Sequence, residues 1–243
     1  IRRAERRPMK RAQSNPKATR ETMPDGAGSP WMLAFAIIYT AFVLAVDTLA
    51  VHDVRTPIAW RMFLWHSGSG ADWFKLAFWF IVPFVISFRR FDWGWFGVAR
   101  WKKIDVAVLC ALAAICALAV LAIPLFPSLR NTYGSLSHIT ASAKWSFAAH
   151  QIIWTFSWLV GWEFLHRCFL LRPLDARWPR WGWLLAPLFE FVYHLQKPLI
   201  EAVGMAAFSM ILTPWALRRR NVLLPFLAHL AIELELIAFL VLA

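Results

Sequence analysis

What most constrains this chain is a series of seven apolar runs, each close to the length of a membrane span. They cover residues 31–51, 72–88, 104–126, 145–171, 181–197, 199–217 and 222–243. A helix needs about 20 apolar residues, within a range of roughly 17–25, to cross the hydrocarbon core. Inside lipid only a helix or a closed barrel satisfies its own backbone. The expectation is an all-α fold, a polytopic transmembrane helical bundle with about seven spans. Composition supports it: of 243 residues, 60% are hydrophobic and only 16% are charged, against roughly 25% charged in soluble proteins. Sixteen Trp and twenty Phe suit lipid-facing helices and their interfacial anchors. The fifth run is short and contains Pro187, which predicts a broken or tilted helix. Gln196, Lys197 and Pro198 leave little room for a loop before the sixth, which predicts a tight helical hairpin.

The net charge of +12 would suggest nucleic acid in a soluble protein. Here the basic residues lie between apolar runs, so the expected partner is the anionic cytoplasmic leaflet of the bilayer and not nucleic acid. Twenty of the 26 Lys and Arg residues fall on one side of a seven-span arrangement. They lie in the arm 1–23, in 89–103, in 167–180 and at Arg218, Arg219 and Arg220. The other side keeps Arg55, Arg61, Lys75, Arg130, Lys144 and Lys197. The positive-inside rule then places the N-terminus in the cytoplasm and the C-terminus outside. Residues 1–30, polar, basic and rich in Pro, Gly and Ser, read as a disordered arm, and 31–243 as the transmembrane domain. The first apolar run is too long and wrongly flanked for a cleaved signal peptide, and Met9 and Met23 are candidate starts. Cys110, Cys116 and Cys168 are too few for a disulfide framework and read as packing residues.

Charges within a bilayer are costly and usually mark function. The first three runs hold few, Asp47 in the first and Lys75 near an end of the second. The last four hold Glu163, His166, Arg167, Glu190, His194, Glu201, His229, Glu233 and Glu235. Glu163 and Arg167, Glu190 and His194, and His229 and Glu233 are each four apart, so each pair shares a helix face. Three convergent stripes would form a polar pocket. Blander roles are an intrahelical ion pair for Glu163 and Arg167, backbone-satisfied rings for His150 and His166, a Lys197 partner or helix cap for Glu201, and another helix for Glu235.

The order Glu-x-x-x-Arg, an apolar helix ending in His, then His-x-x-x-polar resembles the CPBP family of CAAX proteases and bacteriocin-processing (Abi) enzymes, over about 145–235. The motifs are Trp162-Glu163-Phe164-Leu165-His166-Arg167, then Tyr193-His194 continuing through Lys197-Pro198 to Glu201, then His229-Leu230-Ala231-Ile232-Glu233. The resemblance implies a CPBP-like core in the last four helices of a bacterial inner-membrane protein, and hydrolysis of a peptide bond at the membrane. A glutamate helped by a histidine would activate water, while a second histidine and an asparagine or aspartate steady the oxyanion. Carried over by position, the catalytic candidates are Glu163, Arg167, His194, His229 and Glu233. Water exclusion strengthens donors aimed at a developing oxyanion. The family's motif opens with two glutamates, and Trp162 stands in the place of the first. Glu190 stands where a Phe is usual, and Glu233 where Asn or Asp is; ionised, Glu233 cannot donate to an oxyanion.

Two other functions compete. Trp162 and the aromatic-rich helices suit a non-catalytic subunit packed against other membrane subunits, lipid or pigment. Glu190, His194, His229 and Glu233 make a mixed nitrogen and oxygen set for a divalent ion such as zinc. A transporter would show inverted repeats or paired broken helices, and the sequence shows neither. Depth tests the protease reading. With straight helices rising 1.5 Å per residue, His194 lies ~8–10 Å from Glu163 and His229 in depth, a gap that a tilt or break at Pro187 would close.

Overall fold

A computed structural model describes residues 29–51, 70–88, 93–96, 101–134 and 140–242. The expected arm lies, through residue 28, outside the described residues. The described chain is all-α. In order, α1 is Pro30–Val51, α2 Trp73–Ser87, α3 Lys103–Leu121 and α4 Pro127–Thr132. Helix α5 runs without interruption from Ala141 through a π turn, Leu165–Leu170, to Arg177. Then come α6 Leu185–His194, α7 Leu199–Arg219 and α8 Leu223–Leu242.

Helices start where side chains can take up the free N–H groups of a first turn. Asp72 accepts from Lys75 N at 3.0 Å at the start of α2. Thr140 accepts from Ala143 N at 3.3 Å at the start of α5. Asn221 accepts from Leu224 N at 3.0 Å at the start of α8. Helix α7 ends at Arg220, whose left-handed φ of 46° turns the chain toward α8.

The distribution of polarity is that of a membrane bundle. Ile38, Val85, Ile115, Leu118 and Val203 are exposed on outward faces, while Asp47, Lys75, Glu163, Arg167, Glu190 and His229 are buried. Helices α1, α3, α7 and α8 are long and apolar enough to span. Helix α2 is a shorter apolar helix. Helix α5 overruns its expected limits of 145–171 at both ends, running from the Thr140 cap to Arg177. Pro187 does not break α6. The helix begins at Leu185, so Pro187 falls in the first turn, where an N–H has no intrahelical acceptor. The expected hairpin is present: α6 turns through Leu195–Lys197 and packs along α7.

Helix α8 packs on α3 and α5, and α5 packs on α2. The last crossing depends on Gly161, where a Cβ would come within 2.7 Å of the Trp79 Cβ and 3.1 Å of the Lys75 carbonyl. At the end of the bundle where α3 begins and α7 ends, Asp105 of α3 clamps α7. Its Oδ1 accepts from Trp215 Nε1 at 3.1 Å and Arg219 Nε at 3.0 Å. Its Oδ2 accepts from Arg219 Nη2 at 2.7 Å and Lys102 N at 2.7 Å.

Candidate functional site

The site is built on the π turn of α5. Glu163 lies just before it and Arg167 within it. Such turns widen the helix, disturb its carbonyl ladder and recur at functional sites. Here Trp95, from the short 3₁₀ turn Trp93–Phe96, donates its indole N–H to the Arg167 carbonyl at 3.0 Å.

From this turn the polar groups reach across helices. Glu163 Oε1 accepts from His229 Nδ1 of α8 at 2.8 Å. Its Oε2 is 3.7 Å from Arg167 Nε, an ion pair without a hydrogen bond. Arg167 spends its stronger contact elsewhere: Nη1 donates to Glu190 Oε1 of α6, and Nη2 donates to Ser209 Oγ of α7 at 3.2 Å. Ser209 in turn donates to Glu190 Oε1 at 2.8 Å, with Thr213 Oγ1 3.3 Å behind it. Glu163, Arg167, Glu190, Ser209 and His229 are each no more than 2% exposed. Charges buried this deeply persist only when paired, and this network supplies the pairing from four helices.

The four-residue spacing therefore acts differently from its expected role. Glu163 and Arg167 are in contact, but the stronger bonds run between helices. Glu190 meets His194 only through the backbone, its carbonyl accepting from His194 Nδ1 at 2.7 Å. Since a carbonyl cannot donate, the proton is on Nδ1 and a neutral His194 keeps its lone pair on Nε2. Glu233, half-buried on α8, has no hydrogen bond to a described residue. The metal candidates Glu190, His194, His229 and Glu233 do not gather: Glu190 faces a guanidinium, and no three His, Cys, Asp or Glu side chains among the described residues form a metal-sized group.

The blander expectations fit their residues. His166 Nδ1 donates to the Trp162 carbonyl at 2.9 Å and His150 Nδ1 to the Ser146 carbonyl at 2.8 Å. Glu201 lies 3.6 Å from Lys197 and also accepts from Tyr133 Oη at 2.8 Å. Glu235 is near Cys116 of α3.

Trp162 stands at the centre of the histidines. Its ring centroid is 4.2 Å from that of His166, 5.6 Å from His194 and 6.4 Å from His229. The rings of Tyr193 and Trp79 pack on it at 5.0 Å and 5.5 Å. His194 and His229 thus both pack on one indole. Sequence reasoning missed Ser209 and Trp95, which carry no charge, and the contacts of Tyr193. No spacing rule distinguishes a serine that bridges two charges from one that packs.

The family model described as type II CAAX prenyl endopeptidase Rce1-like matches residues 144–234, which hold Glu163, Arg167, Glu190, His194, Ser209 and His229. No curated protein and no solved structure matches the chain. Residues 144–234 are therefore similar to Rce1-like members of the CPBP family, and the likeness is confined to this segment of the chain.

Proposed function

We propose that this protein is a CPBP-type intramembrane endopeptidase in which Glu163 activates water for attack on a peptide carbonyl. One observation carries the reading. The Glu163 carboxylate is held on Oε1 by His229, while its buried Oε2 accepts no hydrogen bond from a described residue. A carboxylate fixed through one oxygen, with lone pairs to spare on the other, is arranged to take a proton from water. The proton received at Oε2 passes to the amine nitrogen as the C–N bond breaks. His194, with its lone pair on Nε2, is the second acceptor near the water. His229, when protonated, presents an Nε2–H toward the oxyanion and stays bonded to Glu163 through Nδ1. Arg167 and Glu190 hold the π turn and α6 in register. Glu233 is the remaining polar candidate, one turn from His229.

The substrate is a peptide or membrane protein reached within the bilayer. Seven spans, a cytoplasmic N-terminus and a bacterial inner membrane complete the proposal, supported by the apolar runs and the one-sided basic residues. The test is release of new α-amino groups from a pool of prenylated and unmodified peptides by the purified protein in liposomes. Glu163→Gln is expected to lower the rate by at least ~10²-fold with little change in thermal stability. An unchanged rate would sink the reading.

Trp162 favours a second reading, a CPBP-fold subunit without catalysis inside a larger membrane complex. Its indole packs against three histidines at the position of the family's leading glutamate. Extraction from native membranes in mild detergent separates the two. A fixed stoichiometry with other subunits, together with no hydrolysis, supports the second.

A further inference from the structure

A second polar cluster lies next to the site, and most of it comes from outside residues 144–234. Tyr193 Oη donates to Asp47 Oδ2 of α1 at 2.6 Å. Lys75 Nζ of α2 is 3.5 Å from the same Asp47 oxygen and 3.5 Å from Asp72 Oδ2. The ammonium also lies over the Trp79 and Trp154 rings, at 4.9 Å and 5.3 Å from their centroids. Asp47, Asp72 and Lys75 are all buried. An ammonium held by two carboxylates and two aromatic faces is fixed in place, and so is the carboxylate oxygen that it offers to Tyr193.

We propose that Asp47 is a positioning residue for His194, acting through the Tyr193 phenol, so that α1 and α2 are part of the site. The inference rests on the hydrolytic reading for its kinetic consequence, but its geometric content stands apart from it. Helix α6 has only ten residues, about 15 Å of length, and packs chiefly along α7. Two polar anchors set its rotation. Glu190 ties one line of the helix to Arg167 and Ser209. At 100° per residue, Tyr193 and His194 project to either side of that line. With Glu190 alone the helix can roll about its anchor; with Tyr193 bound to Asp47 it cannot. The His194 ring, whose Nδ1 is bonded to the backbone of the same helix, turns with it. The Tyr193 ring also packs on Trp162 and Trp79, at 5.0 Å and 5.8 Å, so a roll of α6 would move the aromatic wall between the two clusters. A displacement of about 1 Å at a reacting group can cost ~10²-fold in rate.

The experiment uses the full chain in liposomes with three variants: Tyr193→Phe, which removes a single oxygen, Asp47→Ala and Asp47→Asn. Two quantities are read, peptide hydrolysis and the ¹⁵N signals of His194 in histidine-labelled protein. Tyr193→Phe and Asp47→Ala are expected to lower kcat by ~10- to 100-fold with KM nearly unchanged, and to shift the His194 signals. The double variant should be no worse than either single one. Asp47→Asn keeps an acceptor for the phenol and should restore most of both signals. Additive losses, or a His194 spectrum unchanged in Tyr193→Phe, would overturn the proposal. If the unaltered protein hydrolyses nothing, the endopeptidase reading falls, and the His194 spectrum still decides the positioning.

Discussion

Two carboxylate–guanidinium contacts are built to different standards: Asp105 with Arg219 joins α3 to α7, and Glu163 with Arg167 lies within α5. Asp105 receives four donors: both faces of the Arg219 fork, the Trp215 indole and a backbone N–H. Arg167 and Glu163, deep in the bundle, are left incomplete. Arg167 Nε and Glu163 Oε2 face each other at 3.7 Å with neither hydrogen-bonded. Bonding capacity is normally exhausted in buried polar groups, since each unpaired group costs about 1–3 kcal/mol. A clamp that only joins helices has no reason to bear that cost, and the Asp105 clamp does not. The deep cluster bears it at the carboxylate next to a histidine, where spare bonding capacity is what a base requires. Under the proposed hydrolysis, the difference separates an arrangement made for holding from one made for reacting.

The comparison can be broken most severely at Arg167. Arg167→Leu strands Glu163 and Glu190 in the bundle without a counter-charge, and removal of one partner from a buried pair costs about 3–5 kcal/mol. Thermal unfolding in detergent should show a larger loss than for Ser209→Ala or Asp105→Asn. A variant of normal stability would mean that the deep network is not needed for folding. Ser209→Ala is the intermediate case. It removes the donor to Glu190 and the acceptor for Arg167, a loss of about 1–2 kcal/mol. A nearly unchanged rate of hydrolysis would then confine Ser209 to support. Asp105→Asn sharpens the other side. The clamp loses its charge but keeps an acceptor, so the melting temperature should fall by less than for either deep variant, and by less still in high salt. Hydrolysis should be unaffected. An activity loss at Asp105 comparable to that of Glu163→Gln would erase the distinction between the two regions.

Much of the architecture is legible in the residues. The apolar runs locate the helices to within a few positions, because a lipid-facing segment must be apolar throughout. The crowding of ionisable residues into the last four runs indicates where the deep cluster lies, since each such residue needs a partner inside the bundle. The partners themselves are not legible. Spacing pairs Glu190 with His194, whereas the fold pairs it with Arg167 and Ser209, and nothing in one helix tells which neighbour it will face. Asp47 and Lys75 look isolated in their runs, and their only sequence signal is opposite charge near the ends of consecutive spans. That 3.5 Å contact and its phenol link exist only once α1, α2 and α6 are packed. The π turn at Leu165–Leu170 leaves no mark that composition or periodicity reveals.

That turn has a consequence for how the chain can change over time. A π turn bonds each residue to the fifth before it, so it holds one residue more than the α-helix on either side. Loss of any single residue between Leu165 and Leu170 would let α5 close into a regular helix. The segments on either side would keep their facing relative to each other, because the wide turn winds less per residue and so takes up the extra one, while the side chains inside it would be re-aimed. The site sits on a one-residue step in register. A relative with a straight helix here should differ by a gap of one residue at this point, with Glu163 and the segment beyond Leu170 facing each other as they do here.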